Sequence, residues 1–322
     1  MPPFSYLFAS SFPTCYDSGM EYVTLGNNKT SNIALGCMRI ADKTEKEAER
    51  LIITALEGGV NLFDHADIYG GGRSEEIFGN VLKMNPALKR HMYIQSKCGI
   101  RQGYYDFSYD HIVKSVDGIL GRLGIEKLDN LILHRPDILA EPDEISRALQ
   151  ILKESGKVDS FGVSNMNPSQ IELLESWTGE KFTCNQMQLS LMHAGIVSSG
   201  INVNVENNDG TMYDGALLPY VQKRGMVLQA WSPFQYGMFE GSFLGNDKFP
   251  DINRKLNELS EKYNSKPSAI AASWILRIPG QMQVVLGTTD EKHLKDALMA
   301  QNIKLTRKEW YELYTISGHM LP

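Results

Sequence analysis

Eight short apolar runs, separated by longer stretches of helical periodicity, constrain this chain more than any other feature. They are "NIALGC", "VNLFD", "MYIQSKC", "LDNLILH", "VDSFGVSN", "FTCNQMQ", "GMVLQAWS" and "QVVLGT". A strand with one wet face alternates apolar and polar residues, whereas a strand covered on both faces reads as a continuous apolar run. Stretches such as "TEKEAERLIITALEGG", "DHIVKSVDGILGRLG" and "DEISRALQILKESGK" lie between them. Their apolar residues recur every three or four positions, as on helices with one buried face. Parallel strands need long crossovers, and eight strand–helix units in succession are what a closed parallel barrel requires. The expected fold class is α/β, a (β/α)8 TIM barrel.

The punctuation agrees. Gly58-Gly59, Gly124, Gly156 and Gly225 each fall between a helical stretch and the next strand, where a helix end favours left-handed backbone. Asn167-Pro168 opens a helix as cap followed by proline. Ahead of the first run, "EYVTLGNNKTSNIALG" reads as a β-hairpin turning at Gly26-Asn27-Asn28. After the last, "TRKEWYELYTISG" reads as an extra C-terminal helix capped by Thr306. Residues 1–19 read as an N-terminal extension and 20–322 as a single domain. Two long connections, "GIRQGYYDFSYD" and "SLMHAGIVSSGINVNVENNDGTMYDG", follow the third and sixth runs, at the barrel's reactive face.

Charge and cysteine usage exclude several function classes. A net charge of −6 with no Lys/Arg block argues against nucleic acid or an anionic membrane as a partner. Cys15, Cys37, Cys98 and Cys184 are scattered, without metal-type spacing, and read as reduced thiols of a cytoplasmic protein. No apolar run approaches the roughly 20 residues needed to span a bilayer. No HxH or HExxH spacing appears, so no metal site is expected. "YGGGRSEE" lacks both the spacing and the strand–helix context of a dinucleotide fingerprint.

Four ionisable residues fall at the C-terminal ends of early strands. Asp64 and Tyr69 follow the second run, Lys97 ends the third and His134 ends the fourth. Singly, each has an ordinary reading: a helix cap, a loop aromatic, a solvated strand end, a core histidine. In a barrel they converge on one mouth, and together they make chemical sense. A free phenol titrates at about 10 and donates its proton poorly. A neighbouring ammonium stabilises the phenolate and lowers that value, a service Lys97 can render while Asp64 keeps it charged and oriented. His134 can position and polarise a carbonyl oxygen. The set suits proton delivery to an oxygen becoming an alkoxide. A Schiff-base barrel using Lys97 would need a desolvated lysine without a carboxylate partner, and Asp64 argues against it.

The same segments resemble the aldo-keto reductases, (β/α)8 barrels that reduce carbonyls with a nicotinamide cofactor. "DHADIYGGGRSEEIFG" is similar to the segment bearing that family's catalytic aspartate and tyrosine, "IQSKCG" to its lysine segment and "LILHRPD" to its histidine segment. The resemblance covers roughly residues 20–317. It implies Tyr69 as general acid, with Asp64, Lys97 and His134 beside it. "GVSNMNPSQIE" implies that Ser164 and Asn165 hold the nicotinamide amide, "CNQMQ" adds Gln186, and "QAWSPF" implies that Trp231 stacks on the ring with Ser232 and Pro233 near the pyrophosphate. "LGTTDEKHLKDAL" implies Gly287, Thr288, Thr289, His293 and Asp296 at the adenosine phosphate. Gly36, Met38 and Arg39, at the first strand's end, complete the implied cofactor contacts, and Met38 and Arg39 also face the substrate.

The function so implied is NAD(P)H-dependent reduction of a small aldehyde or ketone by a monomer or small homo-oligomer. Where many relatives that use NADPH carry an arginine, this chain has His293. A neutral imidazole offers a phosphate less than a charged guanidinium fork does. NADPH is therefore the expected cofactor, by a reduced margin, with NADH a possible substitute. The short tail after the last helix leaves substrate contacts mainly to Met38, Arg39, the Tyr104-Tyr105 loop and the 191–213 loop. The family also contains barrels that serve as regulatory subunits of potassium channels, and nothing in the sequence points to that role.

Overall fold

The computed structural model describes residues 19–322, so all but the last residue of the 1–19 extension, Cys15 included, lies outside the described residues. Eight parallel strands close into a barrel. They are β1 (Ile33–Gly36), β2 (Leu62–Asp64), β3 (Tyr93–Cys98), β4 (Asn130–Leu133), β5 (Phe161–Ser164), β6 (Cys184–Gln188), β7 (Val227–Trp231) and β8 (Met282–Leu286), one for each apolar run. Each pairs with its neighbours in chain order, and β8 closes on β1. The helices of the first five crossovers are α1 (Glu45–Glu57), α2 (Arg73–Met84), α3 (Tyr109–Leu123), α4 (Pro142–Glu154) and α5 (Pro168–Thr178). The sixth crossover holds α6 (Gly195–Ile201) and α7 (Leu217–Arg224), and the seventh holds α8 (Pro250–Lys262) and α9 (Pro267–Leu276). After β8 come α10 (Glu291–Leu298) and the extra helix α11 (Arg307–Ile316). The sequence leaves 191–213 as a loop. The structure places α6 within it, a seven-residue helix with no side-chain cap and two glycines, too weak a periodic signal to stand out.

The helix ends show why the chain turns where it does. Thr44, Asn167 and Thr306 each build a capping box, with Glu47, Gln170 and Glu309 respectively. Gly59, Gly124, Gly156 and Gly225 are left-handed, but Gly58 is not: its φ is −78°, and the turn falls one residue later.

The hairpin, Tyr22–Leu25 against Asn28–Ser31, seals the barrel's N-terminal end. Its Val23 and Leu25 join Ala34, Leu62, Ile132, Cys184, Val227 and Val285 in an inner apolar cluster. The larger core lies between the strands and the helices. With the floor sealed and the walls covered, the C-terminal strand ends are left as the open face.

Candidate active site

Asp64 ends β2, and the chain then makes an abrupt turn. Tyr69 is followed by Gly70, Gly71 and Gly72, at φ 58°, 66° and 95°, three successive left-handed residues that feed α2 without a side-chain cap. An added Cβ on Gly70 would sit 2.5 Å from the Ala41 Cβ. Glycine is thus required both by backbone conformation and by space. That turn holds the Tyr69 phenol back over the strand ends.

The four predicted residues do meet. Lys97 Nζ donates to Asp64 Oδ2 at 2.7 Å, to the His65 carbonyl at 2.8 Å and to the Tyr69 hydroxyl at 3.2 Å. Lys97 is wholly buried and Asp64 nearly so. The His134 ring stands edge-on to Tyr69, centroids 6.2 Å apart, and its Nδ1 is buried without a partner. Burial works against the Lys97 charge, but Asp64 and Tyr69 outweigh it and hold the ammonium above its ordinary pKa. Burial, with Lys97 and Arg135 nearby, pushes His134 well below the ordinary histidine value, so its ring is neutral. For Tyr69 the structure corrects the sequence-based expectation. Burial raises the phenol's pKa more than Lys97 lowers it. The phenol is therefore protonated at neutral pH, with the Lys97 ammonium 3.2 Å from its oxygen.

The other predicted residues take the remaining strand ends. Ser164 Oγ donates to the Gln186 carbonyl at 2.8 Å, and Asn165, left-handed at φ 56°, donates to Ser164 Oγ at 2.7 Å. Trp231 Nε1 donates to Asn165 Oδ1 at 3.3 Å, fixing a half-buried indole at the end of β7. Ser232, also left-handed at φ 51°, and buried Pro233 follow it. Gly36 presses β1 onto β8, since a Cβ there would lie 3.0 Å from Val285 Cγ1. Met38 is partly exposed, and Arg39 bridges the same two strand ends by donating to the Gly287 carbonyl at 3.0 Å. Thr288 and Thr289 precede α10 but do not cap it. Asp290 does, accepting the His293 N–H at 2.8 Å. His293 projects into solvent from the first turn and Asp296 is half-buried one turn on.

Sequence reasoning missed a set of buried glutamines. Gln95, Gln229 and Gln283 face the barrel interior with Gln186. A usable signal was present: Gln95 lies two residues before Lys97, and Gln229 two before Trp231, on the same strand face. Among the described residues no group of three or more His, Cys, Asp or Glu side chains is arranged to hold a metal ion, and no helix is long and apolar enough to cross a membrane.

Asp67, just beyond Asp64, is a cost of this turn. Burial, then repulsion from Glu75, pushes its carboxyl from 3.8 up to about 6, against the lowering pull of Ser115 and Arg122, and its Oδ1 is buried without a partner. A raised carboxyl pKa gives stability that is complete below the unfolded value and is lost as pH rises through the folded one. Asp67→Asn should therefore stabilise the protein above pH ~6, by at most about 3 kcal/mol, with the gain vanishing below pH ~4. Urea melts at both ends of that window check it. An equal shift at both pH values would show that the charge is not the cause.

The chain's similarities to known proteins agree with this geometry. The family model described as "Aldo/keto reductase family" matches residues 32–317. A 6-dehydroglucose reductase of Agrobacterium fabrum is 31% identical over 313 residues, covering 92% of this chain and 98% of the relative. Oxidoreductase YdhF of Escherichia coli is 32% identical over 294 residues, covering 88% and 92%. The crystal structure of the thermostable aldo-keto reductase Tm1743, complexed with the inhibitor epalrestat, superposes with a TM-score of 0.74 at 24% identity over 92% of this chain and 100% of that one, a likeness of fold. The chain belongs to the aldo/keto reductase family.

Proposed function

We propose that the protein reduces aldehyde or ketone carbonyls to alcohols with NADPH, Tyr69 giving the proton. The observation that carries this reading is the buried run from Asp64 through Lys97 to the Tyr69 hydroxyl, with neutral His134 edge-on to the same ring. Lys97 donates directly to the phenol oxygen, where it would stabilise the phenolate left after proton transfer. His134 serves instead to orient a carbonyl oxygen.

The strand ends fit a nicotinamide cofactor. Buried polar atoms without partners stand there, His134 Nδ1 and Gln188 Nε2 among them, and the Trp231 ring is anchored. Ser164, Asn165 and Gln186 would hold the carboxamide, Trp231, Ser232 and Pro233 the ring and pyrophosphate, and Gly287 to Thr289 with His293 and Asp296 the adenosine end. The Gln186 Nε2 is already committed to Asp64 and Gln229, so its side-chain oxygen, Oε1, is the contact left for the carboxamide. Bound there, the reduced cofactor supplies the hydride. At the adenosine end Arg39, Lys292 and His293 favour the 2′-phosphate, and Asp290 opposes it, which supports a modest preference for NADPH. A cytoplasmic setting suits the buried, unpaired Cys37, Cys98 and Cys184.

The rim bears on substrate. Tyr104, Tyr105, Ile138, Leu139, Tyr213 and Phe239, all on connections at the open face, are 45–85% exposed. Apolar side chains left in water around a mouth fit a ligand with an apolar ring. The rim thus favours an aryl aldehyde over the sugar carbonyl named for the Agrobacterium relative.

Reduced-nicotinamide consumption with aryl aldehydes, aliphatic ketones and sugar aldehydes tests the reading, alongside dissociation constants for both cofactors. We expect turnover led by aryl aldehydes, and NADPH binding about tenfold tighter than NADH, the scale of one charge-assisted hydrogen bond. Tight cofactor binding with no carbonyl reduced would turn the reading toward a binding role. Tighter NADH binding would overturn the cofactor assignment.

A further inference from the structure

Barrel interiors are ordinarily filled by layers of branched apolar side chains. Beneath the Asp64–Lys97 pair this one is not. Gln186, Gln229 and Gln283 lie side by side in register on β6, β7 and β8, and Gln95 lies beside Asp64 on β3. All four glutamines are buried, at 3% exposure or less.

Gln229 is the hub of the layer. Its Oε1 accepts from Gln95 Nε2 at 3.0 Å and from Gln186 Nε2 at 2.9 Å. Its Nε2 donates back to Gln95 Oε1 at 3.1 Å and on to Gln283 Oε1 at 2.7 Å. Gln283 Nε2 in turn donates to the Ser31 carbonyl of the floor hairpin at 2.5 Å. At the upper end, Gln95 Nε2 and Gln186 Nε2 both donate to one atom, Asp64 Oδ1, at 2.6 and 3.0 Å. The other carboxylate oxygen, Oδ2, is left for Lys97.

Four buried amides are an expensive way to fill a barrel, because each polar atom left unmatched costs the full loss of its hydration. Leucine or isoleucine would fill the same volume without that exposure to error. The layer also fixes which way each amide faces. Gln95 must present Nε2 upward, since a flipped amide would set its oxygen against the Asp64 carboxylate and break the reciprocal pair with Gln229. With Oδ1 held by two donors, the carboxylate cannot rotate about its bond, and Oδ2 stays aimed at the ammonium.

We propose that Gln95, locked by Gln229, is a positioning residue of the proton-delivery group: it clamps Asp64 Oδ1, so that Asp64 holds Lys97 against the Tyr69 hydroxyl. This rests on the reading of Tyr69 as the acid. Gln186 contributes to the same clamp but also reaches the cofactor face, so Gln95 and Gln229 are the informative positions.

The test compares Gln95→Met and Gln229→Met, close in volume and length, with the unsubstituted protein and with Tyr69→Phe. The readouts are kcat and KM for an aryl aldehyde, NADPH dissociation constant, the pH profile of reduction, and melting temperature. For Gln95→Met we expect kcat to fall by about tenfold to a hundredfold, the worth of a hydrogen bond to a charged group, with NADPH affinity unchanged. The alkaline limb of the profile should move to higher pH, because an ammonium held less firmly stabilises the phenolate less. Gln229→Met should shift both in the same direction by less, though it touches neither Asp64 nor Lys97, and it carries the test if Gln95→Met fails to fold. A lowered melting temperature with kcat and the alkaline limb unmoved would overturn the proposal and leave the amides as packing. Normal turnover by Tyr69→Phe would instead overturn the reading beneath it, and the proposal with it.

Discussion

Tyr69→Phe should lower carbonyl reduction by about 10²–10⁴ while leaving cofactor affinity within a few-fold and the barrel folded. The substitution keeps the ring that packs edge-on against His134 and removes only the hydroxyl, which accepts one hydrogen bond from Lys97. Lys97 keeps its bonds to Asp64 and the His65 carbonyl, so no buried charge is stranded. Losing one neutral partner costs on the order of 1 kcal/mol of stability. With Tyr69 as the proposed acid, the transition state loses far more, since His134, held neutral by burial and by Lys97, carries no readily given proton. Pre-steady-state mixing of the variant with NADPH and aldehyde separates binding from chemistry. Near-normal hydride transfer would remove Tyr69 from the mechanism.

How much of this was legible in the sequence follows from how locally each feature is encoded. Parallel strands covered on both faces are mainly apolar, so the eight announced themselves within a few residues, β6 least clearly, since Asn185, Gln186 and Gln188 interrupt it. Capping residues are local too, and Thr44, Asn167 and Thr306 sit beside the helices they start. Asp290 shows the limit: three polar residues precede α10, and only the backbone geometry decides which one accepts the His293 N–H. The meeting of Asp64, Tyr69, Lys97 and His134 was legible because a barrel sends every strand end to one face. The glutamine layer was legible only in part: the period of two puts Gln95 on the face of Lys97 and Gln229 on that of Trp231, but does not say which side chains they meet. Gln95 and Gln229 lie 134 residues apart, and a lone glutamine inside an apolar run gives no sign of its partner. The direction of the Tyr69 pKa was equally hidden. A sequence names the ammonium that pulls it down, but not the burial that pushes harder the other way.

Lys97→Met should be the most damaging single substitution at this site, for stability as well as rate. Asp64 would keep its Gln95 and Gln186 donors but lose its counter-ion while remaining 2% exposed. Stranding a buried charge typically costs about 3–5 kcal/mol. The protein would also lose the cation that stabilises the Tyr69 phenolate, so reduction should fall at least as far as in Tyr69→Phe. The second substitution separates the two effects. Asp64→Asn on the Lys97→Met background removes the stranded charge and keeps an oxygen to accept from the glutamines. Stability should then recover most of what was lost, because a buried ion pair can often be replaced by neutral groups at little net cost. Activity should not recover, because an uncharged pair does nothing for the phenol. Denaturant melts and single-turnover reduction of the single and double variants decide it. If activity returned together with stability, the ion pair would serve only to hold the barrel together. If neither returned, the Asp64 charge would not be what Lys97 is there to balance.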